Sequence, residues 1–84
     1  MAYQIFLKKS AEKELAVLPD KIHDRIVAGI ISLAGDPRPK KAKKLQGREG
    51  YRIRIGDYRI LYMVYDKEQK VEVFSIAHRR DVYR

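Results

Sequence analysis

Cysteine is absent from the sequence, which excludes disulfide frameworks, thiolate metal sites and thiol nucleophiles at once. Small secreted domains usually depend on disulfide bonds, so a chain of 84 residues without them fits a reducing interior. A long hydrophobic run is also missing, because the longest apolar stretch, residues 26–35, is about half as long as a membrane span. Charges from Lys8 onwards leave no room for a secretory signal. We therefore expect a cytoplasmic protein without membrane association.

The motifs of cofactor-dependent enzymes are missing as well. The sequence has no zinc-ligand pattern, Walker loop, dinucleotide-binding fingerprint or nucleophile elbow. Its two histidines, His23 and His78, are not spaced as a metal-binding pair. We expect no metal ion and no small-molecule cofactor, and metal-free chemistry on a phosphodiester is the enzymatic option that remains.

Positive charge, by contrast, is present in large excess. The net charge is +8 and the pI is about 9.9, which favours a polyanionic partner: nucleic acid, the ribosome, an acidic protein or an anionic membrane surface. With 45% hydrophobic and 36% charged residues, the composition is that of a folded chain. Residues 1–84 are expected to form one domain, because a division would leave each part too small for a core.

The first half of the sequence predicts a strand followed by a helix hairpin. Residues 2–7 alternate as a strand does. Ser10 is a typical N-cap for a first helix, which Pro19 ends. Asp20 is placed to cap a second helix that ends at the Gly-Asp-Pro sequence of residues 35–37. Because the link between them is short, the two helices should be antiparallel.

The second half predicts three strands after an exposed basic connector, residues 37–50. The strands are expected at residues 51–55, 58–65 and 71–77, and the remaining residues form a tail or a short helix. The predicted fold class is α+β in the order β-α-α-β-β-β. In this fold the helix hairpin packs on one face of an antiparallel-rich, four-stranded sheet and leaves the other face uncovered.

Three arginines fall within the sequence YRIRIGDYRILY of residues 51–62. If Gly56 and Asp57 form a type II′ turn, in which glycine supplies the positive φ, Arg54 lies opposite Arg59. Alternation then separates a core face from a second face. The core face carries Tyr51, Ile53, Ile55, Tyr58, Ile60, Tyr62 and Val64, and the second face carries Arg52, Arg54, Arg59, Leu61 and Met63.

Like charges opposite each other on neighbouring strands are destabilising, and no acidic residue in these strands compensates for them. Clustered guanidinium groups suit a phosphate site, because they are planar, always charged and bidentate. Arginines splayed into water, with their stems covering apolar neighbours, would account for the pattern equally well.

Further groups follow the last predicted strand and lie near a sheet edge: His78, Arg79, Arg80, Tyr83 and Arg84. Histidine is the residue type that exchanges protons near neutral pH, although a hydrogen-bonded structural histidine is the commoner case. Tyr83 has the chemistry to stack on a base or to pack the tail onto the sheet. The connector lysines Lys40, Lys41, Lys43 and Lys44, with Arg80 and Arg84, are candidates for RNA binding through phosphates; the alternative for the lysines is a solvated loop.

The succession of a strand, a helix hairpin, a connector running into KLQGREGYRIRIGDYRILY, and a final HRRDVY resembles the RelE/ParE toxin superfamily of type II toxin–antitoxin systems, and its RelE branch in particular. The resemblance covers nearly the whole chain and implies the same fold. It also implies a ribosome-dependent endoribonuclease that cuts the mRNA codon in the A site by attack of the 2′-hydroxyl on the adjacent phosphate. The residues that correspond to the catalytic positions of the RelE branch are Arg52, Arg54, Arg59, Arg79 and Tyr83.

The resemblance departs at two positions, because RelE members carry lysines where this sequence has Arg52 and Arg54. Arginine can hardly act as a base. We therefore expect Arg52 to position the RNA backbone and Arg54 to stabilise charge with Arg59. Arg79 is expected to bind phosphate and Tyr83 to orient the nucleotide by stacking. His78 is the candidate for the base or the acid.

The resemblance further implies a RelB-like antitoxin, with an acidic, flexible segment that folds around the toxin and covers its basic face. Two other functions stay open on the sequence. One is a ParE-like inhibitor of DNA gyrase without nuclease activity, which has no need of the aligned arginines. The other is a basic RNA-binding module without catalysis.

Overall fold

The computed structural model describes the backbone of residues 2–82 and the side chains of residues 2–80. The elements are β1 (Gln4–Leu7), α1 (Lys9–Ala16), α2 (Asp20–Ser32), β2 (Lys43–Lys44), β3 (Tyr51–Ile55), β4 (Tyr58–Tyr65), β5 (Lys70–His78) and α3 (Arg79–Val82). The sheet has the order β1-β5-β4-β3-β2, in which β1 is parallel to β5 and the other neighbours are antiparallel. The α+β fold is confirmed. None of the helices in residues 2–82 is long and apolar enough to span a membrane.

The sheet has five strands, so the prediction of four was wrong by one. The additional strand is β2, which lies in the basic connector and pairs Lys43 with Arg52 and Lys44 with Tyr51. Two consecutive lysines carry no β-branched or aromatic signal for a strand. The pairing is instead a tertiary effect, because the returning connector adds to the open edge of β3.

The cap predicted for the first helix was also wrong. Lys8 occupies the N-cap of α1, and its N–H donates to the Val73 carbonyl (2.9 Å) while its carbonyl accepts from the Glu12 N–H (2.9 Å). The helix therefore begins as soon as the β1 ladder ends. Ser10, the predicted cap, lies inside the helix, and its hydroxyl donates to the Phe74 carbonyl on β5 (3.2 Å).

Asp20 is the first residue of α2 rather than its cap. Pro19 takes the cap position with extended backbone angles (φ −58°, ψ 150°), and its carbonyl accepts from the His23 N–H (2.9 Å). The Asp20 carboxylate still lies in the first turn, where it favours the positive end of the helix dipole.

The helix hairpin covers one face of the sheet, as predicted. The core contains Ala11, Ile26, Ile30 and Leu33 from the helix layer and Ile53, Ile55, Ile60, Tyr62, Val71, Val73 and Ile76 from the sheet. The predicted core face of the β3–β4 hairpin supplies four of these sheet residues. The opposite face of the sheet is called the open face below.

The β3–β4 hairpin has the register predicted from the Gly56-Asp57 turn. Gly56 has a φ of +60°, and Arg54 lies opposite Arg59. Because the register is fixed by a local turn and strict alternation, it could be read from the sequence without knowledge of the other strands.

The β4–β5 ladder contains an irregularity that alternation alone would miss. Tyr62 pairs with Val73, whereas Leu61 pairs with Ser75, so Phe74 is an extra residue on β5. Such a bulge changes which residues of the strand point to each face. Before it Val71 and Val73 face the core, and after it Ile76 does.

Candidate functional site

The open face carries the three arginines of the β3–β4 hairpin, but they are not equally accessible. Arg54 is exposed and Arg52 is half-buried. Arg59 is only 6% exposed, and it interacts with other groups. The sequence interpretation treated all three as one surface cluster, whereas the structure presents Arg52 and Arg54 to solvent and keeps Arg59 largely covered.

Arg52 and Arg54 share a depression with three lysines of the connector. This basic depression has a volume of about 350 Å³ and is lined by Lys40, Lys41, Lys43, Arg52 and Arg54. Every lining residue is cationic, so the depression concentrates positive potential where an anion would enter. Lys44 lies beside it and lines an adjoining depression of about 430 Å³ with Lys43, Leu45, Gln46 and Arg52. The structure therefore brings the four connector lysines to the edge of the arginine hairpin.

In the part of the chain whose side chains are described, no carboxylate forms an ion pair with a cation of the basic depression. Within residues 2–80, neither Arg52 nor Arg54 forms an ion pair with a carboxylate. Close positive charges without acidic partners raise the electrostatic free energy of the folded chain. A bound polyanion would remove this cost, and guanidinium groups are well suited to bind phosphate oxygens in a bidentate manner.

A second cluster anchors the start of the connector. Arg38 donates two hydrogen bonds to the Asp66 carboxylate (3.1 and 2.8 Å) and a third, from Nε, to the Tyr51 hydroxyl (2.9 Å). Tyr3 donates to the same carboxylate (2.7 Å), and Tyr62 donates to the Pro37 carbonyl (2.8 Å). This cluster, called the Arg38 anchor below, ties the connector to β3, to β4, to the turn after β4 and to the residue before β1.

The hydrogen bonds of the Arg38 anchor perturb its titrating groups. The pKa of Asp66 is lowered, chiefly by the hydrogen bond from Arg38 and then by that from Tyr3. The pKa of Tyr3 is raised, mainly because it donates to that carboxylate. Burial raises the pKa of Tyr62 to about 12. The sequence interpretation missed this anchor, and the short Pro-Arg-Pro sequence around Arg38 was its only local sign.

Arg79 is held at the turn of the β3–β4 hairpin. Its N–H donates to the Asp57 carbonyl (2.7 Å), and its guanidinium lies 3.9 Å from the Asp57 carboxylate. Both side chains are about two-thirds exposed (67% and 65%), so the ion pair is a weak one. The contact brings the chain after β5 to the end of the hairpin that carries Arg54 and Arg59.

His78 does not lie with the arginines. It pairs with Tyr58, a core-face residue, and its ring meets the Tyr58 ring edge to face at 5.1 Å. Its Nδ1 accepts from the Arg80 N–H (3.2 Å). The Phe74 bulge determines the face to which His78 points, because without it His78 would point to the open face. The spacing of Val71, Val73 and Ile76, which breaks the alternation of the strand, was the sign of this bulge in the sequence.

The remaining predicted residues lie at the C-terminus. Arg80 is exposed in α3. Tyr83 and Arg84 lie outside the residues that the structure describes, so their predicted roles in stacking and RNA binding stay predictions.

The comparisons with known proteins assign the family. A family model described as the ParE toxin of the type II toxin–antitoxin system parDE matches residues 5–83. This chain belongs to the RelE/ParE toxins of type II toxin–antitoxin systems. Toxin RelG of Mycobacterium tuberculosis is 32% identical over 90 residues, which cover 100% of this chain and 99% of that protein. Toxin RelE of the same organism is 31% identical over 84 residues, which cover 98% of this chain and 87% of that protein.

Solved structures of RelE toxins have the same fold as this one. The RelBE2 toxin–antitoxin complex of M. tuberculosis matches with a TM-score of 0.82 and 28% identity, covering 94% of this chain and 100% of that chain. The isolated E. coli RelE toxin matches with a TM-score of 0.81 and 26% identity, covering 92% of this chain and 84% of that chain. These relatives place the toxin in the RelE branch, although the family model carries the name of ParE.

Proposed function

We propose that this RelE-type toxin is a ribosome-dependent endoribonuclease that cuts mRNA in the A site and so inhibits translation. The observation that carries the proposal is the basic depression, in which Arg52 and Arg54 meet three lysines on the sheet face that the helices leave open. A phosphodiester backbone is the polyanion that such a surface fits. Two curated relatives with the names RelE and RelG support the same activity class.

The reaction needs positive charge at the phosphate, which these side chains would supply. The 2′-hydroxyl gives up its proton as its oxygen forms a bond to the adjacent phosphorus. The bond from phosphorus to the 5′-oxygen breaks and that oxygen takes up a proton, so a 2′,3′-cyclic phosphate and a 5′-hydroxyl result. Negative charge grows on the phosphorane in between, and fixed cations that face it lower the barrier. Exposed Arg54 is proposed to supply this charge directly, since a guanidinium group stays protonated throughout. Arg59 lies opposite it and is largely covered, so its proposed contribution to the same charge is made from beneath the surface.

The other predicted residues would hold the RNA around that centre. Arg52 and the lysines of the basic depression position the backbone through phosphates. Arg79, whose N–H donates to the Asp57 carbonyl, is proposed to bind a phosphate at the turn of the β3–β4 hairpin. Tyr83 is proposed to stack on the nucleotide and orient it.

An acidic antitoxin is the proposed partner. RelBE2 of M. tuberculosis and RelE–RelB of Pyrococcus horikoshii are toxin–antitoxin complexes whose structures match this chain. A net charge of +8 favours a flexible acidic segment that covers the same cations as the RNA does. Inhibition by the antitoxin would then be competitive with mRNA.

Primer extension on mRNA bound to purified ribosomes tests the cleavage. The toxin should cut within the codon of an empty A site and leave the same mRNA intact when ribosomes are omitted. Substitution of both Arg52 and Arg54 by alanine should abolish the cuts. A Lys13→Ala variant, which removes one exposed charge from α1 in the helix layer, is the control and should cut normally.

Intact mRNA on ribosomes that bind the wild-type toxin would refute the proposed nuclease. Induction in cells then distinguishes the two other functions. DNA breaks with translation initially intact would indicate a gyrase inhibitor, in keeping with the name of the family model. Ribosome or RNA binding with a steep salt dependence and no cuts would indicate a binding module.

A further inference from the structure

Arg48 makes a contact that the proposed cleavage does not use. It lies in the loop between β2 and β3, and its guanidinium carbon is 4.6 Å from the centroid of the Phe74 ring on β5. In the sheet order, β4 lies between β3 and β5. The loop therefore extends over the open face to reach Phe74, which is the bulged residue of β5.

The loop that carries Arg48 is held at its base. The Leu45 N–H donates to the Gly50 carbonyl (3.0 Å) and closes the loop. Gly50 has a φ of +124°, and a Cβ there would lie 3.0 Å from the backbone oxygen of Tyr62. Only glycine fits both the angle and the close approach. The chain thus lies directly on the sheet at Gly50, which fixes the loop that presents Arg48.

The Arg48–Phe74 pair lies close to the basic depression. Phe74 adjoins Ser75, which pairs with Leu61, and Leu61 pairs with Arg52. Neighbouring strands are about 4.8 Å apart, so Phe74 is roughly 10 Å across the sheet from Arg52. One RNA strand is long enough to touch both positions.

The exposure of Arg48 leaves a flat cationic surface on top of the ring. The guanidinium of Arg48 lies over the Phe74 ring, and the residue is exposed, so a ligand can reach the guanidinium from the solvent side. Within residues 2–80, Arg48 forms no ion pair with a carboxylate that would draw its guanidinium off the Phe74 ring. Guanidinium planes and aromatic rings are the protein groups on which unstacked RNA bases lie.

We propose that Arg48, stacked on Phe74, is a shelf on which an RNA base stacks while a neighbouring phosphate lies in the basic depression. The inference rests on the proposed function, because it assigns a second contact for the same RNA. The shelf positions a nucleotide by its π-face and is distinct from the charges that act on the reacting phosphate. It accounts for an arginine rather than a lysine at this place, since an ammonium group has no plane to stack.

Fluorescence of 2-aminopurine tests the shelf directly, because stacking quenches this base. Ribosomes with an empty A site carry mRNA with 2-aminopurine at one position of the A-site codon or its neighbours, and a 2′-O-methyl group at the cleaved nucleotide prevents the cut. The wild-type toxin, Arg48→Ala, Arg48→Lys, Phe74→Leu and the control Lys13→Ala are titrated, and thermal unfolding confirms that each is folded.

Wild-type toxin and Lys13→Ala should quench one position more than the others. Arg48→Ala should bind about 5- to 150-fold more weakly, as removal of a base-stacking group does, and should lose the quench. Arg48→Lys should lose the quench as well although it keeps the charge, and Phe74→Leu should weaken it. Arg48 variants that bind and quench as wild type would overturn the shelf alone. A wild-type toxin that does not bind the ribosome would overturn the shelf and the proposed function together.

Discussion

The arginine at the start of the basic connector and the two arginines that follow its end have different surroundings. Arg38 is held by Asp66, with two hydrogen bonds to its carboxylate, and by the Tyr51 hydroxyl. Arg52 and Arg54 form no ion pair within residues 2–80 and share their depression with lysines. The same side chain is satisfied in one place and surrounded by like charge in the other.

The difference indicates which arginines stabilise the fold and which are available to bind a ligand. A guanidinium that already donates to a carboxylate and a hydroxyl has few N–H groups left to bind a phosphate. A guanidinium that is surrounded by other cations is stabilised most when an anion binds. We expect substitutions at Arg38 to reduce stability and substitutions at Arg54 to reduce activity, and five predictions test this division.

The largest effect is expected at Arg54. Arg54→Ala should reduce the rate of mRNA cleavage on programmed ribosomes by about 100-fold or more, as the loss of a group that stabilises transition-state charge does. The thermal midpoint should stay the same or rise, because a repulsive cross-strand pair with Arg59 is relieved. Lys13→Ala is again the control, and a large fall in Tm for Arg54→Ala would contradict the division.

The next effect is expected at Arg38, on stability. Arg38→Ala should lower Tm by about 5 °C, since a partly exposed bidentate pair and a hydrogen bond to Tyr51 are lost together. Cleavage should fall by less than about tenfold, because the variant loosens the connector lysines without removing a group that faces the phosphorane. Differential scanning fluorimetry and the ribosome assay measure the two quantities.

The pH dependence of that Tm difference identifies its cause. The pKa of Asp66 is lowered in the folded chain. Its contribution to the stability of the fold is therefore complete above its pKa in the unfolded chain, about 3.9, and is lost as the pH falls through its pKa in the folded chain. The difference between wild type and Arg38→Ala should therefore be constant near neutrality and shrink below about pH 4. A difference that does not change with pH would show that Asp66 is not the partner that matters.

The fold could be predicted where the signals were local. The register of the β3–β4 hairpin followed from Gly56 and from strict alternation, and so did the separation of Ile53 and Ile60 from Arg52 and Arg54. The short strand β2 and the start of α1 were not predictable in this way, because each depends on hydrogen bonds to a distant part of the chain.

The candidate site was predictable in its residues more than in its geometry. Arg52, Arg54 and the connector lysines meet in one depression, as their positions suggested. The burial of Arg59 and the face of His78 were missed because each depends on how β4 and β5 sit in the folded sheet. A single bulged residue, Phe74, changes the alternation of β5 and turns His78 away.

A smaller effect is expected for Tyr62, which supports the Arg38 anchor from the core. Burial raises its pKa to about 12. The contribution of protonated Tyr62 to the stability of the fold is therefore present below the ordinary pKa of about 10 and is lost as the pH rises from there to the pKa in the folded chain. Tyr62→Phe should lower stability at neutral pH, because the hydrogen bond to the Pro37 carbonyl is lost. The variant should also show a flatter decline of Tm above pH 10 than wild type, and equal declines would contradict this account.

The smallest effect is expected for His78. A general acid or base contributes about 100-fold or more, and the sequence interpretation gave His78 that role. The structure pairs it with Tyr58 on the helix-covered face, where its Nδ1 accepts from the Arg80 N–H. We therefore expect His78→Gln to reduce cleavage on programmed ribosomes by less than about threefold, far below the effect of a proton-transfer group.

Glutamine keeps a hydrogen-bond acceptor near the Arg80 N–H, so the variant separates proton transfer from the support of α3. His78→Ala, which removes both, should lower Tm slightly and should have less effect on the rate of cleavage. A loss of tenfold or more in His78→Gln, with ribosome binding unchanged, would mean that the end of β5 turns over on the ribosome and brings the imidazole to the arginines. The division between a structural face and a reactive face would then hold only for the free toxin.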